Sequence, residues 1–249
     1  MNDKSKTLTI AAAIVLAGLI IASAVIFSSG KGIGIFNIPQ AAQPSQGNNA
    51  ANNNQGSVQS NVDIRNVKIA GEPFIGNQNA PVIMAYWFDY QCPFCDRFET
   101  QVLPTLIKNY VETGKLKIVF KDFQFLGADS NTAGLIGRAI WQADPKAYFA
   151  WREKMYESQG SENSDWASQS NIFKLIENIP GLNLNRIKTD LNQNQSTYQA
   201  ELNQDKTEAG SFGIQGTPGF IIGRQEIIGA QPLAVFEKAI NKALSQNQK

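Results

Sequence analysis

The stretch Pro81-Val82-Ile83-Met84-Ala85-Tyr86-Trp87-Phe88-Asp89-Tyr90-Gln91-Cys92-Pro93-Phe94-Cys95 joins an apolar run, a short polar elbow and a pair of cysteines. The run from Pro81 to Phe88 is rich in branched and aromatic residues, as in a strand buried on both faces. Pro93 suits the first turn of a helix, where its missing N–H costs nothing. From Phe94 onward, Phe98, Leu103, Leu106, Ile107, Tyr110 and Val111 recur by threes and fours over much of the run, which predicts a helix. Pro104 is expected to kink it, and Thr113-Gly114 to close it. A second strand, Leu116-Lys117-Ile118-Val119-Phe120, follows. Strand, Cys-x-x-Cys at a helix start, helix and strand imply a right-handed crossover between parallel strands.

Further along, residues 129–212 have helical character. Segments are predicted near Asn131–Gln142, from Pro145 through Tyr156, near Asn171–Ile179, at Leu184–Leu191 and at Thr197–Phe212. After Gly216-Thr217-Pro218-Gly219 come the strands Phe220–Ile222 and Glu226–Ile228, with Gly223-Arg224 between them, which predicts a hairpin. A final helix is expected from Pro232 through Leu244. The fold class is therefore α/β, with an all-helical insertion, and no internal repeat is found.

Ahead of this domain the composition changes twice. Residues Leu8–Phe27 are uncharged and mostly apolar, about 20 residues, enough for a helix to cross a bilayer. Lys4 and Lys6 precede them and Lys31 follows, a slight positive-inside bias that places the N-terminus in the cytoplasm. Residues 1–29 thus predict a cytoplasmic tip and a transmembrane anchor, with a cleaved export signal as the alternative. Residues 30–62 carry no charge between Lys31 and Asp63 and are rich in Asn, Gln and Ala. They predict a flexible tether, the alternative being a tract that aggregates or binds a partner. The folded domain is assigned to 63–249, outside the cytoplasm.

Composition narrows the chemistry. The 249 residues hold 22 Lys and Arg against 21 Asp and Glu, a net charge of +1, so nothing suggests a nucleic-acid partner. His is absent, which removes Ser-His-Asp triads and His-containing metal sites. The two Cys are three positions apart. At a helix N-terminus, unpaired N–H groups and the dipole favour a thiolate, so Cys92 is the candidate nucleophile and is expected to expose its sulfur. Cys95, one turn in, is the candidate resolving thiol. Such a pair passes oxidising equivalents through a mixed disulfide. The competing roles are a structural disulfide, half of a zinc site and inert buried thiols. A loop this short gains little from a staple, zinc would lack further ligands, and a helix start is an exposed place. No cofactor and no metal are expected.

These residues resemble the DsbA-like thiol–disulfide oxidoreductases, which have a thioredoxin fold with a helical insertion. The likeness is greatest to the membrane-anchored, extracytoplasmic members. It is carried by Gly76-Asn77-Gln78-Asn79-Ala80-Pro81, Phe88 through Cys95, Gly216-Thr217-Pro218 and Ile228-Gly229-Ala230-Gln231-Pro232, and covers nearly all of 68–245. The resemblance implies that Cys92 attacks, that Cys95 is its partner, and that Pro218 is a cis-proline facing the disulfide. The Thr217 backbone would then be free to pair with an extended client. Pro93, Phe94 and Thr217 are expected to tune the pair. Strongly oxidising relatives often carry His between the cysteines; here the residue is Phe94, which removes a charge favouring the thiolate.

Asp89 is a candidate for proton transfer, and equally for a helix cap or a solvated carboxylate. Trp87, Tyr90 and Gly216 are candidates for a client groove, though aromatic residues at a strand end more often belong to a core. The implied function is donation of a disulfide to exported, unfolded or reduced proteins, with reoxidation by a quinone-linked membrane partner. A reductase or isomerase on the same fold is the alternative, and a membrane-tethered peptide-binding module without catalysis is another.

Overall fold

The computed structural model describes residues 62–247. The predicted anchor, and the tether up to residue 61, lie outside the described residues. Among those described, no helix is long and apolar enough to cross a membrane.

The central strand is β2, Val82–Phe88, whose residues are almost all buried. Its side chains alternate between two cores, as the two-residue period of a strand requires. Met84, Tyr86 and Phe88 enter the larger core. Ala85 and Trp87 enter a smaller one, with Ala209, Ile214 and Ile221. Val62, placed in the tether by its composition, is also part of that second core.

Strand β3, Leu116–Asp122, pairs parallel to β2, with Tyr86 opposite Phe120 and Phe88 opposite Asp122. β4, Gly219–Ile222, lies antiparallel on the other side of β2, with Trp87 opposite Gly219. β5, Gln225–Ile228, completes the hairpin. The short edge strand β1, Phe74–Ile75, pairs with β3, giving the order β1-β3-β2-β4-β5. Two residues are too few to show alternation, so β1 left no trace in the sequence pattern. Gly76, just after it, has φ +109, and a Cβ there would stand 2.6 Å from Leu116 O, so only glycine fits.

Helix α1, Pro93–Gln101, leaves the end of β2 and packs Phe98 under the sheet. The Phe98 ring lies 4.9 Å from Tyr86, 4.6 Å from Phe220 and 5.1 Å from Phe236. That cluster joins α1, β2 and β4 to the C-terminal helix α7, Leu233–Asn247. As Pro104 predicts, the helix is interrupted: it restarts as α2, Leu103–Leu106, and widens into a π turn at Ile107–Val111.

The insertion between β3 and β4 consists of α3 (Ala128–Ala143), α4 (Pro145–Glu157), α5 (Gln169–Glu177) and α6 (Leu184–Ser211). Asp144 caps α4 by accepting from Lys146 N and Ala147 N, with Pro145 at the first position. The two helices expected at 184–191 and 197–212 are one. The polar stretch between them suggested a break, but Asp190 accepts from Asn194 at 2.8 Å and from the Tyr198 hydroxyl at 2.5 Å, linking successive turns.

Buried charges tie the insertion to the sheet. Arg138 of α3 pairs with Glu72 at 2.7 Å, Asp122 of β3 at 2.6 Å and Asp205 of α6 at 2.6 Å. Lys121 of β3, fully buried, pairs with Asp205 at 2.5 Å and Glu72 at 3.1 Å. Burial and the neighbouring Glu72 carboxylate raise the Asp205 pKa to about 7, and the two cations oppose them. Removing one cation strands carboxylates in the interior. Arg138→Met is therefore expected to destabilise the domain by about 3–5 kcal/mol in urea unfolding; a loss below about 1 kcal/mol would mean the cluster behaves like a surface pair.

Candidate active site

Cys92 is the N-cap of α1, in extended conformation, with Pro93 at the first helical position. Its carbonyl accepts from Cys95 N at 3.0 Å and Asp96 N at 3.1 Å, which starts the helix and brings the two cysteines one turn apart. Both are free thiols. Cys92 is only 4 % exposed. The loop before β4 covers it, because β4 lies directly beside β2, and Cys92 Sγ donates to Thr217 O at 3.4 Å. Cys95 has no exposure at all, so only Cys92 presents an edge to solvent.

The Thr217-Pro218 peptide is cis. Pro218 is buried, while Gly216 and Thr217 are half-exposed beside the sulfur. Gly229 N donates to Pro218 O at 2.8 Å, which fastens this loop to the end of β5.

The thiols are driven apart in acidity. A hydrogen bond from the Cys95 thiol, then contributions from Thr217 and the backbone N–H groups of Cys95 and Phe94, lower the Cys92 pKa to about 6 against the cost of burial. The Thr217 hydroxyl is buried with no partner of its own, so it is free to donate once Cys92 is an anion. Burial raises Cys95 well above its ordinary value, as does its hydrogen bond to Cys92. One sulfur is thus an anion near neutral pH and the other a proton-bearing thiol. Phe94, between them, is 53 % exposed, and its ring carries the Arg97 guanidinium at 5.1 Å.

Burial decides between the readings left open for three further candidates. Asp89 is fully buried, which removes the solvated carboxylate. It accepts from Gln91 N, Phe125 N, Leu126 N and the Ser130 hydroxyl at 2.7–3.1 Å. With those four donors it organises the loop after β3. Burial raises its pKa, against these hydrogen bonds. Trp87 and Tyr90 are not groove residues. Trp87 lies in the second core and donates Nε1–H to Asp205 O at 3.1 Å. Tyr90 is buried with its ring 5.1 Å from Trp151, because α3 comes close at Gly137, where a Cβ would stand 2.9 Å from the Tyr90 hydroxyl.

Several neighbours had no sequence signal. Arg152 of α4 pairs with Glu99 of α1 at 2.5 Å and sits 3.8 Å from the Phe88 ring centre and 4.4 Å from that of Phe120. A cavity of about 620 Å³ is lined in part by Glu99, Leu103, Phe120, Arg152 and Tyr156. Neither cysteine borders it, so the sulfur chemistry takes place elsewhere. Among the described residues no cluster of carboxylates and thiols is arranged to hold a metal.

Comparison with known proteins agrees with this geometry. The family model described as thioredoxin matches residues 68–242. The chain is 25 % identical to disulfide bond formation protein D of Bacillus subtilis over 176 residues, covering 71 % of this chain and 78 % of that protein. A putative protein-disulfide oxidoreductase of Rickettsia felis is 24 % identical over 198 residues, covering 76 % of this chain and 68 % of that one. The crystal structure of oxidised BdbD from Bacillus subtilis superposes with a TM-score of 0.66 at 25 % identity, over 72 % of this chain and 95 % of that one. Chlamydia trachomatis DsbA, at 23 % identity, shares the fold with a TM-score of 0.62, over 71 % and 93 % of the two chains. With a cis-proline loop closing on a Cys-x-x-Cys at a helix start, the chain belongs to the thioredoxin family, as a DsbA-like protein-disulfide oxidoreductase.

Proposed function

We propose that this protein donates the Cys92–Cys95 disulfide to reduced, exported proteins from a membrane-anchored position outside the cytoplasm. A client thiolate attacks Cys92 Sγ; the Cys92–Cys95 bond breaks, and Cys95 takes the electron pair and a proton. A second client thiolate then attacks the client sulfur of the mixed disulfide. The client gains a disulfide and Cys92 leaves as a thiolate, so two electrons come to rest on this protein. A quinone-linked membrane partner is the acceptor that restores the oxidised pair.

The direction rests on the relatives named as disulfide bond formation proteins, and the lowering of the Cys92 pKa by the surrounding donors accords with it. A stabilised thiolate favours the reduced form of the pair, which makes its disulfide the stronger oxidant. It also makes Cys92 the better leaving group in the last step. Anchoring rests on Leu8–Phe27 and the tether on residues 30–61, whose composition would let the domain reach both client and partner.

The roles of the two cysteines are testable by trapping. Cys95→Ala is expected to accumulate a mixed disulfide on Cys92 with an unfolded client whose thiols are first converted to disulfides of a small aromatic thiol: the Cys92 thiolate attacks the client sulfur, the aromatic thiol leaves, and non-reducing electrophoresis and mass mapping show the product. Cys92→Ala is expected to accumulate none and to lose oxidase activity. A cellular role left intact in that variant, with oxidase activity lost, would favour a binding role instead.

The acidity has a consequence for stability. The folded pKa of Cys92 lies below its ordinary value of 9.0, at about 6. Its contribution to the reduced form is complete above pH 9 and fades as pH falls through 6, while the disulfide form has no such group. Cys95, raised by burial, does not titrate in this window. Between pH 6 and 9 the reduced form should therefore gain stability over the oxidised form as pH rises, read from paired urea melts. A constant difference would contradict the assigned acidity.

Phe94→His places a cation beside the thiolate, though next to Arg97, which limits the gain. The expected result is a Cys92 pKa lower by up to about one pH unit and a more oxidising pair by glutathione titration. An unchanged or more reducing potential would count against it.

A further inference from the structure

The loop after α4, residues 158–168, reaches back to the start of α1. Gln159 Nε2 donates to Tyr90 O at 2.8 Å and to Cys92 O at 3.2 Å. These are the carbonyls on either side of Gln91. The next contact of the same loop is Asn163 N, which donates to Gln91 Oε1 at 2.8 Å from a left-handed backbone, φ 54. Gln91 is fully buried, and its own amide donates to Leu126 O and the Ser130 hydroxyl, each at 2.9 Å. The segment Tyr90-Gln91-Cys92 is therefore held by the insertion along its whole length.

We propose that Gln159 is a positioning residue for thiol–disulfide exchange, one that fixes Cys92 from the helical insertion by gripping the carbonyls of Tyr90 and Cys92. This rests on the proposal that Cys92 is the exchanging sulfur.

The chemistry of the side chain suits the task. A primary amide nitrogen carries two N–H donors and no charge, one for each carbonyl. The Cys92 carbonyl already accepts from Cys95 N and Asp96 N, so Gln159 is its third donor. Those two carbonyl oxygens are the partial negative charges built into the chain on either side of the nucleophile. Amide hydrogens on these carbonyls offset the negative potential they place near the sulfur, which otherwise opposes the effect of the Phe94 and Cys95 N–H groups in lowering its pKa. A carboxylate at 159 would repel both carbonyls and oppose the thiolate. A methionine would keep the length and the packing and supply no donor.

The test uses the full-length reduced chain. The rate at which iodoacetamide alkylates Cys92 is followed against pH by mass mapping, beside the glutathione equilibrium and the urea stability of the oxidised form. Gln159→Met is expected to move the alkylation midpoint up from about 6 by about one pH unit, which slows alkylation at pH 6 about fivefold, and to make the pair less oxidising. Gln159→Glu is expected to move it further in the same direction. Gln159→Asn, with the same amide one methylene shorter, should recover part of the shift.

A variant that loses stability but keeps the wild-type midpoint and potential would reduce Gln159 to a loop anchor and overturn the proposal. Gln159→Glu and Gln159→Met each decide the question alone, so a folding defect in one leaves the other to answer it. Alkylation requires no client, so it reports on Gln159 independently of activity. Full oxidase activity in Cys92→Ala would instead remove the function on which the proposal rests.

Discussion

A sulfur atom at the start of α1 remains an anion near neutral pH only if donors already point at it when its proton leaves. In this protein those donors are the Cys95 thiol, Thr217 and the N–H groups of Phe94 and Cys95. None is a formal charge. Buried, neutral and fixed donors are hardly weakened by salt, whereas an exposed cation at position 94 would be screened. The arrangement needs two segments far apart in the chain to meet, and the sheet makes them meet. β2 delivers Cys92 and β4 delivers the Thr217 loop, because the two strands are neighbours with Trp87 opposite Gly219.

The asymmetry between the cysteines follows from the same geometry. Cys92 keeps an edge of exposure and several donors; Cys95 is sealed and retains its proton. Attack by a client is thereby directed to one sulfur and the other is left as the internal partner. The Asp89 carboxylate, buried at the foot of this elbow, holds the loop at Phe125 and Leu126, while the Asp89 backbone N–H bonds the Cys95 sulfur.

The helical insertion does more than cover the sheet. Arg138 and Lys121 lock α3 and α6 to β3 through buried carboxylates, and Arg152 binds α4 to Glu99, one turn beyond Cys95. A rigidly docked insertion is what allows the loop after α4 to take hold of Tyr90, Gln91 and Cys92 at hydrogen-bond distances. Packing far from the sulfurs and acidity at the sulfur are thus parts of one structure.

Some of this was written in local sequence. The apolar run Pro81–Phe88, the proline after Cys92, the helical spacing from Phe94 and the break at Pro104 each report the conformation of their own few residues, so they were legible without coordinates. So were the β4–β5 hairpin and the cysteine spacing. The unbroken α6 was not, because its continuity depends on side-chain bonds from Asp190 across a polar stretch. Nor were the buried positions of Trp87 and Tyr90: an aromatic at a strand end suits a groove or a core equally, and only the approach of α3 and α6 decides between them. Gln159 and Arg152 carry no motif and lie 67 and 53 positions from their partners Cys92 and Glu99. Residue order along the chain determined which groups could react; their acidity and orientation came from long-range contacts, since a pKa is set by whatever the folded chain brings within a few ångströms of the atom.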